Sequence, residues 1–116
     1  MGRTGLIWRG EVYHVDLDQP VGHEPAFRRP GVVVSVDILN NGPGGVVVVV
    51  PITTAGYGLR SNVELEPATS GLGHASYARC DQLRAVSIER LSSRQGMISP
   101  EQMQAIDQAL RFVLDL

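Results

Sequence analysis

The chain has 116 residues, which suits one folded domain, so we expect a single domain over residues 1–116. Frequent Val, Ile and Leu and a net charge of only -2 exclude a chain that is disordered throughout. Cys80 is the only cysteine, which excludes an intramolecular disulfide and a thiolate metal cluster. The longest apolar run, Val46 to Val50, is far shorter than the roughly 20 residues of a membrane span. The N-terminus also lacks an apolar signal core, so we expect a cytoplasmic protein with no membrane partner.

The charge balance does not identify a partner. A nucleic-acid-binding domain is usually strongly basic, and this chain is slightly acidic. All ten basic residues are Arg, whose planar fork suits phosphate oxygens better than Lys does. A genome that favours Arg codons explains the same bias equally well.

The first half of the chain alternates between strand and loop patterns. Ile7–Leu17 has the period-2 alternation of a strand with both faces partly covered. Asp18–Pro30 contains several Pro and Gly breakers and is predicted to be a long loop. The valine-rich segments Val32–Val36 and Val46–Val50 are typical of buried strands.

Pro and Gly residues predict how these strands end. Asn40–Gly45 contains Asn, Gly and Pro and is predicted to be a turn or exposed loop. Pro51 has no N–H to donate, so the strand that contains it should be at a sheet edge there, or be ending.

The second half continues with short strands. We predict a loop over Thr54–Asn62, a strand over Val63–Leu65 and a turn over Pro67–Gly73. Ser76–Cys80 and Gln82–Val86 then predict a strand pair or one bent strand.

The clearest local prediction is a C-terminal helix. Ser99 is a good N-cap, Pro100 suits the first helical position, and Gln102 completes a capping box. An apolar stripe follows, made of Met103, Ile106, Ala109, Leu110, Val113 and Leu114. The residues predicted to face water are Gln104, Asp107, Gln108 and Arg111. About five short strands with one terminal helix indicate a strongly bent sheet or small barrel.

Few residues carry recognisable chemistry. His14, His23 and His74 have no second ligand at a metal-binding spacing, so we predict neither a metal site nor a cofactor. Two polar clusters remain: His23-Glu24 followed by Arg28-Arg29-Pro30, and Arg79-Cys80-Asp81-Gln82. Arg79 and Asp81 share one strand face, which is also compatible with a plain surface ion pair.

An ordered series of short motifs resembles the MazF/PemK/Kid family of toxins. The series covers residues 8 to 116 and is strong because of its order. It consists of Arg9-Gly10-Glu11-Val12-Tyr13 with Val15-Asp16-Leu17-Asp18, Gly22-His23-Glu24, Arg29-Pro30, Asn40, Val49-Val50-Pro51-Ile52-Thr53-Thr54, Arg79-Cys80-Asp81-Gln82-Leu83-Arg84, and Glu89-Arg90-Leu91 with Gly96 and the terminal amphipathic helix.

The resemblance implies both a fold and an activity. The implied fold is α+β but mostly β: a compact SH3-like, CcdB/PemK-like barrel of about five to seven antiparallel strands with a C-terminal amphipathic helix. The implied protein is a homodimeric toxin of a type II toxin–antitoxin system that cuts single-stranded RNA at selected sequences. Its implied partner is a MazE-like antitoxin whose C-terminal segment blocks the RNA groove.

Family members also imply the catalytic residues. Their proposed catalytic positions correspond to Arg29 and Thr53, and in the Kid branch to His23, Arg79 and Asp81. This sequence retains all five. It departs from the pattern at Gly31, where an apolar β-branched residue is more usual, and the effect on Arg29 is left open.

Metal-free RNA cleavage most simply uses the 2′-hydroxyl as nucleophile and leaves a 2′,3′-cyclic phosphate and a 5′-hydroxyl. Asp81 is the obvious base, although Arg79 beside it would lower its pKa and weaken it. A guanidinium is a poor proton donor, so we expect Arg79 and Arg29 to clamp the phosphate and His23 to carry the proton. Thr53 would supply a hydroxyl. Loop and strand residues expected to contact RNA are Glu24, Arg28, Thr54, Tyr57, Arg60 and Arg84.

Two other functions fit the same residues less well. A toxin of the same fold that binds DNA gyrase does not need the pair Arg29 and Thr53 or the pair Arg79 and Asp81. A non-catalytic binding module does not need them either.

Overall fold

The computed structural model describes residues 5–18, 27–55, 58–67 and 71–116. Within these ranges, seven strands form one antiparallel sheet. The strands are β1 (Glu11–Asp18), β2 (Phe27–Val33), β3 (Val46–Thr53), β4 (Asn62–Leu65), β5 (Ser76–Arg79), β6 (Arg84–Ser87) and β7 (Leu91–Met97). The helices used below are α1 (Asp37–Asn40) and α2 (Pro100–Leu114), with 3₁₀ turns at Cys80–Gln82 and Ile88–Arg90.

This architecture confirms the predicted fold class. The strand order is β4-β5-β3-β2-β1-β7, and β6 pairs with the first half of β3. The sheet is open rather than closed into a barrel, because β4 and β7 stand at its two ends in the part of the chain that is described. None of the helices in that part is both long enough and apolar enough to cross a membrane.

Two predicted boundaries of the first strands are wrong. β1 begins at Glu11 rather than Ile7, because Gly10 adopts a positive φ of 97° in a turn that the Glu11 N–H closes onto the Trp8 carbonyl at 3.1 Å. Phe27–Pro30 belongs to β2 rather than to a loop, since it pairs with the second half of β1. The rest of the predicted loop, residues 19–26, lies outside the described residues.

Both strand prolines sit where one flank of their strand has no partner. Pro30 pairs with His14 on β1, but the pairing of β2 with β3 begins only at Gly31. β3 continues past Pro51, and Pro51 pairs with Gly31 on one flank. On the other flank β3 changes partner from β6 to β5 around Pro51. The expected edge at Pro51 is therefore a local gap inside the sheet, which needs no N–H there.

The segment between β2 and β3 was predicted in part. The valine strand ends at Val33, and Val36 is exposed as the N-cap of α1. Asn40 lies in α1 rather than in the turn, where its buried amide donates to the Ser35 carbonyl at 2.9 Å. A turn follows over residues 41–44, as expected.

The sheet is covered on both sides. One core lies between the sheet and α2 and includes Val12, Val32, Val50, Ile52, Ala78 and Ile106. The other core, on the opposite face, includes Ile7, Tyr13, Val15, Val33, Val47 and Val49. The expectation that both faces of the first strand are covered is confirmed. Neighbouring residues of β1 and β2 therefore point into different cores, which fixes the register of both strands.

Helix α2 confirms the C-terminal prediction. Ser99 Oγ accepts from Gln102 N and Gln102 Oε1 accepts from Ser99 N, both at 3.2 Å, which completes the capping box. Ile106 and Ala109 are buried against the sheet. Two details differ from the prediction: Leu114 is 47% exposed, and Asp107 forms an ion pair with Arg9 rather than facing water alone.

Candidate active site

A cleft of about 570 Å³ opens where β2 and β3 stop pairing. This volume lies within the roughly 300–1,000 Å³ typical of ligand sites. Its described lining consists of His14, Arg28, Arg29, Pro30, Ile52, Thr53, Thr54, Gly71, Leu72, His74, Ser76 and Gln95.

The strand register brings Arg29 and Thr53 to opposite sides of this opening. The last β2–β3 pair toward the cleft is Gly31 with Pro51. Two residues further along each antiparallel strand, the same register leads to Arg29 on β2 and Thr53 on β3. A cation and a hydroxyl therefore face the space between the diverging strands.

The hydroxyl of Thr53 is oriented by its own backbone. Its oxygen accepts a hydrogen bond from the Ala55 N–H at 3.2 Å. Because a hydroxyl has one proton and two lone pairs, this contact leaves the O–H able to donate into the cleft. Thr54 follows at the rim, where its side chain is exposed.

Arg79 and Asp81 form a paired unit next to the cleft. Arg79 Nε donates to Asp81 Oδ1 at 3.0 Å and Arg79 Nη2 donates to Asp81 Oδ2 at 2.9 Å, so both carboxylate oxygens are held. The hydrogen bonds from Arg79 are the main reason that the pKa of Asp81 is lowered; burial opposes this shift, and the charge of Arg79 supports it. The expected weakening of this carboxylate as a base is confirmed.

Thr53 connects this pair to the cleft. Thr53 is directly opposite Tyr77 on β5, and Arg79 is two residues further along β5. Such diagonal neighbours lie about 7–8 Å apart and can be bridged by long side chains. A ligand that contacts Thr53 is therefore within reach of the guanidinium of Arg79.

Two of the predicted RNA-binding residues that the structure describes, Arg60 and Arg84, do not line the cleft. Arg60 packs its guanidinium over the Phe112 ring at 4.1 Å, in a different pocket beside α2. Arg84 on β6 pairs with Val49 on β3. Val49 is four residues, or about 13 Å, from Thr53 along β3. His23, Glu24 and Tyr57 lie outside the described residues, so their roles stay predictions.

Sequence reasoning missed two cleft residues, His14 and His74. Both were considered only as metal ligands, whereas the structure places each of them in the lining of the cleft that also contains Arg28 and Arg29. The signal for His14 was its position in the alternation of β1, which puts it on the face opposite Tyr13 and Val15. Among the described residues, no group of three or more His, Cys, Asp and Glu side chains is placed to bind a metal ion.

Gly31 lies in a regular part of the sheet rather than in a flexible one. It pairs with Tyr13 on β1 and with Pro51 on β3. A Cβ at this position would lie 3.1 Å from the Val15 Cγ2 methyl, so Val15 fills the space that a side chain would otherwise take. Val15 is also the cross-strand partner of Arg29. The departure at Gly31 is therefore compensated by close packing of Val15 beside Arg29.

Fold and cleft define a small antiparallel-sheet protein with a cationic polar cleft, and solved structures of the same class exist. An endoribonuclease in complex with its cognate antitoxin from a mycobacterial species has a TM-score of 0.79 at 26% identity, covering 95% of this chain and 96% of that one. Endoribonuclease MazF9 of Mycobacterium tuberculosis is 37% identical over 96% of this chain and 98% of its own length. Endoribonuclease EndoA of Bacillus subtilis is 30% identical over 96% of this chain and 97% of its own length.

A family profile agrees with these relatives. The profile for PemK-like, MazF-like toxins of type II toxin–antitoxin systems matches residues 8–114. The chain therefore belongs to this toxin family, as the ordered motifs of the sequence indicated.

Proposed function

We propose that this toxin is an endoribonuclease that cuts single-stranded RNA, typically mRNA, at selected sequences without a metal ion or other cofactor. The observation that carries the proposal is the cleft, which is lined by Arg28, Arg29 and Thr53 while no carboxylate is among the described lining residues. Cationic and hydroxyl donors stabilise the charge that develops on a phosphate during cleavage. The relatives named endoribonucleases support the same activity.

The proposed reaction is attack of the RNA 2′-hydroxyl on the adjacent phosphate, which leaves a 2′,3′-cyclic phosphate and a 5′-hydroxyl. Arg29 holds the phosphate and Thr53 donates its O–H to a phosphoryl oxygen. Arg79 is the second cation, kept in place by its two hydrogen bonds to Asp81. Asp81 acts mainly through Arg79, because a carboxylate with a lowered pKa is a weak base. The sequence predicts His23 as the proton carrier, and the described lining of the cleft offers two other imidazoles for that role, those of His14 and His74.

RNA contacts outside the reacting phosphate come from the cleft rim. Arg28 and Thr54 line the cleft and are the best placed of the predicted RNA-binding residues. We keep Glu24, Tyr57, Arg60 and Arg84 as predicted contacts, since other parts of a bound RNA extend beyond the cleft. Because binding depends on arginines, we expect the Kd for short RNA to rise with salt concentration.

The proposed protein partner is a MazE-like antitoxin. An antitoxin complex is known for a structural neighbour of this chain. We propose that the C-terminal segment of the antitoxin enters the arginine-lined cleft and excludes RNA, so the two ligands should compete. Because the proposed RNA substrate is found inside the cell, we propose that the toxin acts in the cytoplasm.

We further propose that the toxin is a homodimer. Large apolar side chains remain exposed on the described surface, including Ile38 at 82%, Val36 at 58% and Leu116 at 84%. Exposed apolar surface of this kind favours association with a second protein surface. Light scattering on the purified toxin should give twice the mass of the chain.

The function is tested by digesting a long single-stranded RNA in excess EDTA with wild type and Arg29→Ala. We expect cuts at one short recurring sequence, with 5′-hydroxyl ends, that are lost in the variant. The matched control is Arg111→Ala, which removes an exposed arginine of α2. If a folded, antitoxin-free toxin makes no cuts, the endoribonuclease proposal is wrong, and a topoisomerase poisoning assay then examines gyrase binding.

A further inference from the structure

Two histidines lie in the cleft with Arg29 and Thr53. His14 is half-buried on β1, where its carbonyl accepts from Ser92 Oγ at 3.1 Å and its cross-strand partner is Pro30. The register places His14 on the same face of the sheet as Arg28, which is two residues from Pro30 on β2. His74 is exposed just before β5, and its carbonyl accepts from Ser76 Oγ at 3.3 Å. Both side chains contribute to the lining of the same space of about 570 Å³.

Cleavage by the 2′-hydroxyl needs two proton transfers. One group removes the 2′-O–H proton and another protonates the departing 5′-oxygen. The arginines of the cleft stay charged and cannot do either, and a threonine hydroxyl is too weak an acid and base. Both oxygens of the Asp81 carboxylate are already bound by Arg79. Histidine is the side chain that both gives and takes a proton near neutral pH.

We infer that His14 and His74 are the proton-transfer pair of this toxin. The inference rests on the proposed endoribonuclease function and names two catalytic residues for it. One neutral imidazole takes the 2′-O–H proton as the 2′-oxygen forms its bond to phosphorus. The P–O5′ bond breaks, and the other, protonated imidazole gives its proton to the 5′-oxygen. The products are a 2′,3′-cyclic phosphate and a 5′-hydroxyl, and the two imidazoles have exchanged protonation states.

The surroundings of the pair fit this role. Arg28 and Arg29 on β2 line the cleft beside the histidines, and Gln95 on β7 is a neutral neighbour. Asp16 is two residues from His14 on the same face of β1 and directly opposite Arg28. Its Oδ1 is buried without a hydrogen-bond partner. In the proposed reaction the arginines bind the phosphate while the two imidazoles transfer the protons.

The test is single-turnover cleavage, in EDTA from pH 5 to 9, of a short RNA that contains one mapped cut site. The toxins compared are wild type, His14→Gln, His74→Gln, the double variant and His23→Gln, with Gln104→Ala as a surface control. We expect each cleft variant to lose about 10²–10⁴-fold in rate and one limb of the pH–rate profile. Binding of a 2′-deoxy RNA, which cannot be cut, and the urea midpoint should stay near wild type. If His14→Gln is unfolded, His14→Asn takes its place.

A substrate with sulfur in place of the bridging 5′-oxygen separates the two roles. A thiolate leaves without protonation, so the variant that lacks the acid should regain its rate on this substrate, and the variant that lacks the base should not. Full activity of both cleft variants on normal RNA would overturn the inference, as would loss of activity in His23→Gln alone. If one of these outcomes occurs while wild type cuts RNA and Arg29→Ala does not, the histidine assignment has failed but the proposed function has not. If wild type does not cut at all, the proposed function has failed as well.

Discussion

Replacing Gly31 by valine tests how the sheet supports Arg29. A Cβ at residue 31 would lie 3.1 Å from Val15 Cγ2, 3.5 Å from the Val50 carbonyl oxygen and 3.7 Å from Val49 Cβ. Val15 is fully buried and lies opposite Arg29, so it can move only by disturbing its neighbours. Two further methyl groups at residue 31 overpack this site, and overpacking of a tight core costs about 1–3 kcal/mol.

The conservative variant and the compensating variant give the controls. Gly31→Ala adds only the Cβ, and the gain of about 0.5–1 kcal/mol from removing a strand glycine should offset most of the strain. Val15→Ala alone should cost about 2 kcal/mol, from about 0.8 kcal/mol for each buried methyl-sized group plus the cavity left behind. In the double variant the new valine fills that cavity, so its cost should be at least about 1 kcal/mol less than the sum of the two single costs.

The assay is urea unfolding at one fixed protein concentration, with RNA cleavage measured on the same samples. The concentration is fixed because the stability of a dimer depends on it. We expect Gly31→Val to lower both the unfolding midpoint and the cleavage rate, through displacement of Val15 against Arg29, and the double variant to recover part of both. An unchanged or higher midpoint for Gly31→Val, or strictly additive costs, would refute the packing argument.

Three further perturbations follow from single contacts. Gly71→Ala should impair folding or cleavage, because Gly71 has a φ of 75° and its Cβ would lie 2.0 Å from the Gln95 carbonyl oxygen; thermal unfolding and RNA digestion measure this. Ser99→Ala should cost about 1 kcal/mol in urea unfolding, since it removes the cap of α2. The Arg79–Asp81 pair stabilises the folded state fully at pH values above 3.8, the ordinary pKa of Asp81. This stabilisation is lost as the pH falls from 3.8 through the lower pKa that Asp81 has in the folded state. Asp81→Asn should therefore be less stable near pH 6 by at most about 1 kcal/mol, a difference that disappears at lower pH in urea unfolding.

The parts of the fold that the sequence predicts well are those with a strong local cause. The cap, the Pro at the first position and the apolar stripe together specify α2, and the structure has all three. The valine runs specify β3 for the same reason, because β-branched residues have few other buried conformations. The strands Val63–Leu65 and Ser76–Cys80 were also placed to within a residue or two.

The parts that the sequence misses depend on contacts far along the chain. β7 (Leu91–Met97) has a polar sequence without alternation and becomes a strand only because β1 lies beside it. Its buried anchor is also distant, since Glu11 binds Arg94 and accepts from Tyr13 Oη at 3.0 Å. Phe27–Pro30 is likewise a strand only through its pairing with β1. No local propensity reports such pairings.

The same distinction applies to the cleft. Arg29, Thr53 and Thr54 were found because each belongs to a short motif with family resemblance, and Arg28 was found because it belongs to a cluster of polar residues next to one of these motifs. His14 and His74 were missed because each is a single residue in an ordinary strand or turn, and only the sheet brings them to the cleft that the arginines line. The sequence also could not separate Arg60 from the RNA contacts, because its packing against Phe112 joins residues far apart in the chain.

The distribution of charge explains how an acidic chain can bind RNA. The net charge is -2, yet the described lining of the cleft contains two arginines, two histidines and no carboxylate. Three carboxylates elsewhere are bound by arginines: Asp107 binds Arg9, Glu11 binds Arg94, and Asp81 binds Arg79. Each of these pairs neutralises a negative charge that would otherwise repel a phosphate at short range. Because charges beyond about 10 Å are largely screened at ordinary salt, the cleft rather than the net charge determines what this surface attracts.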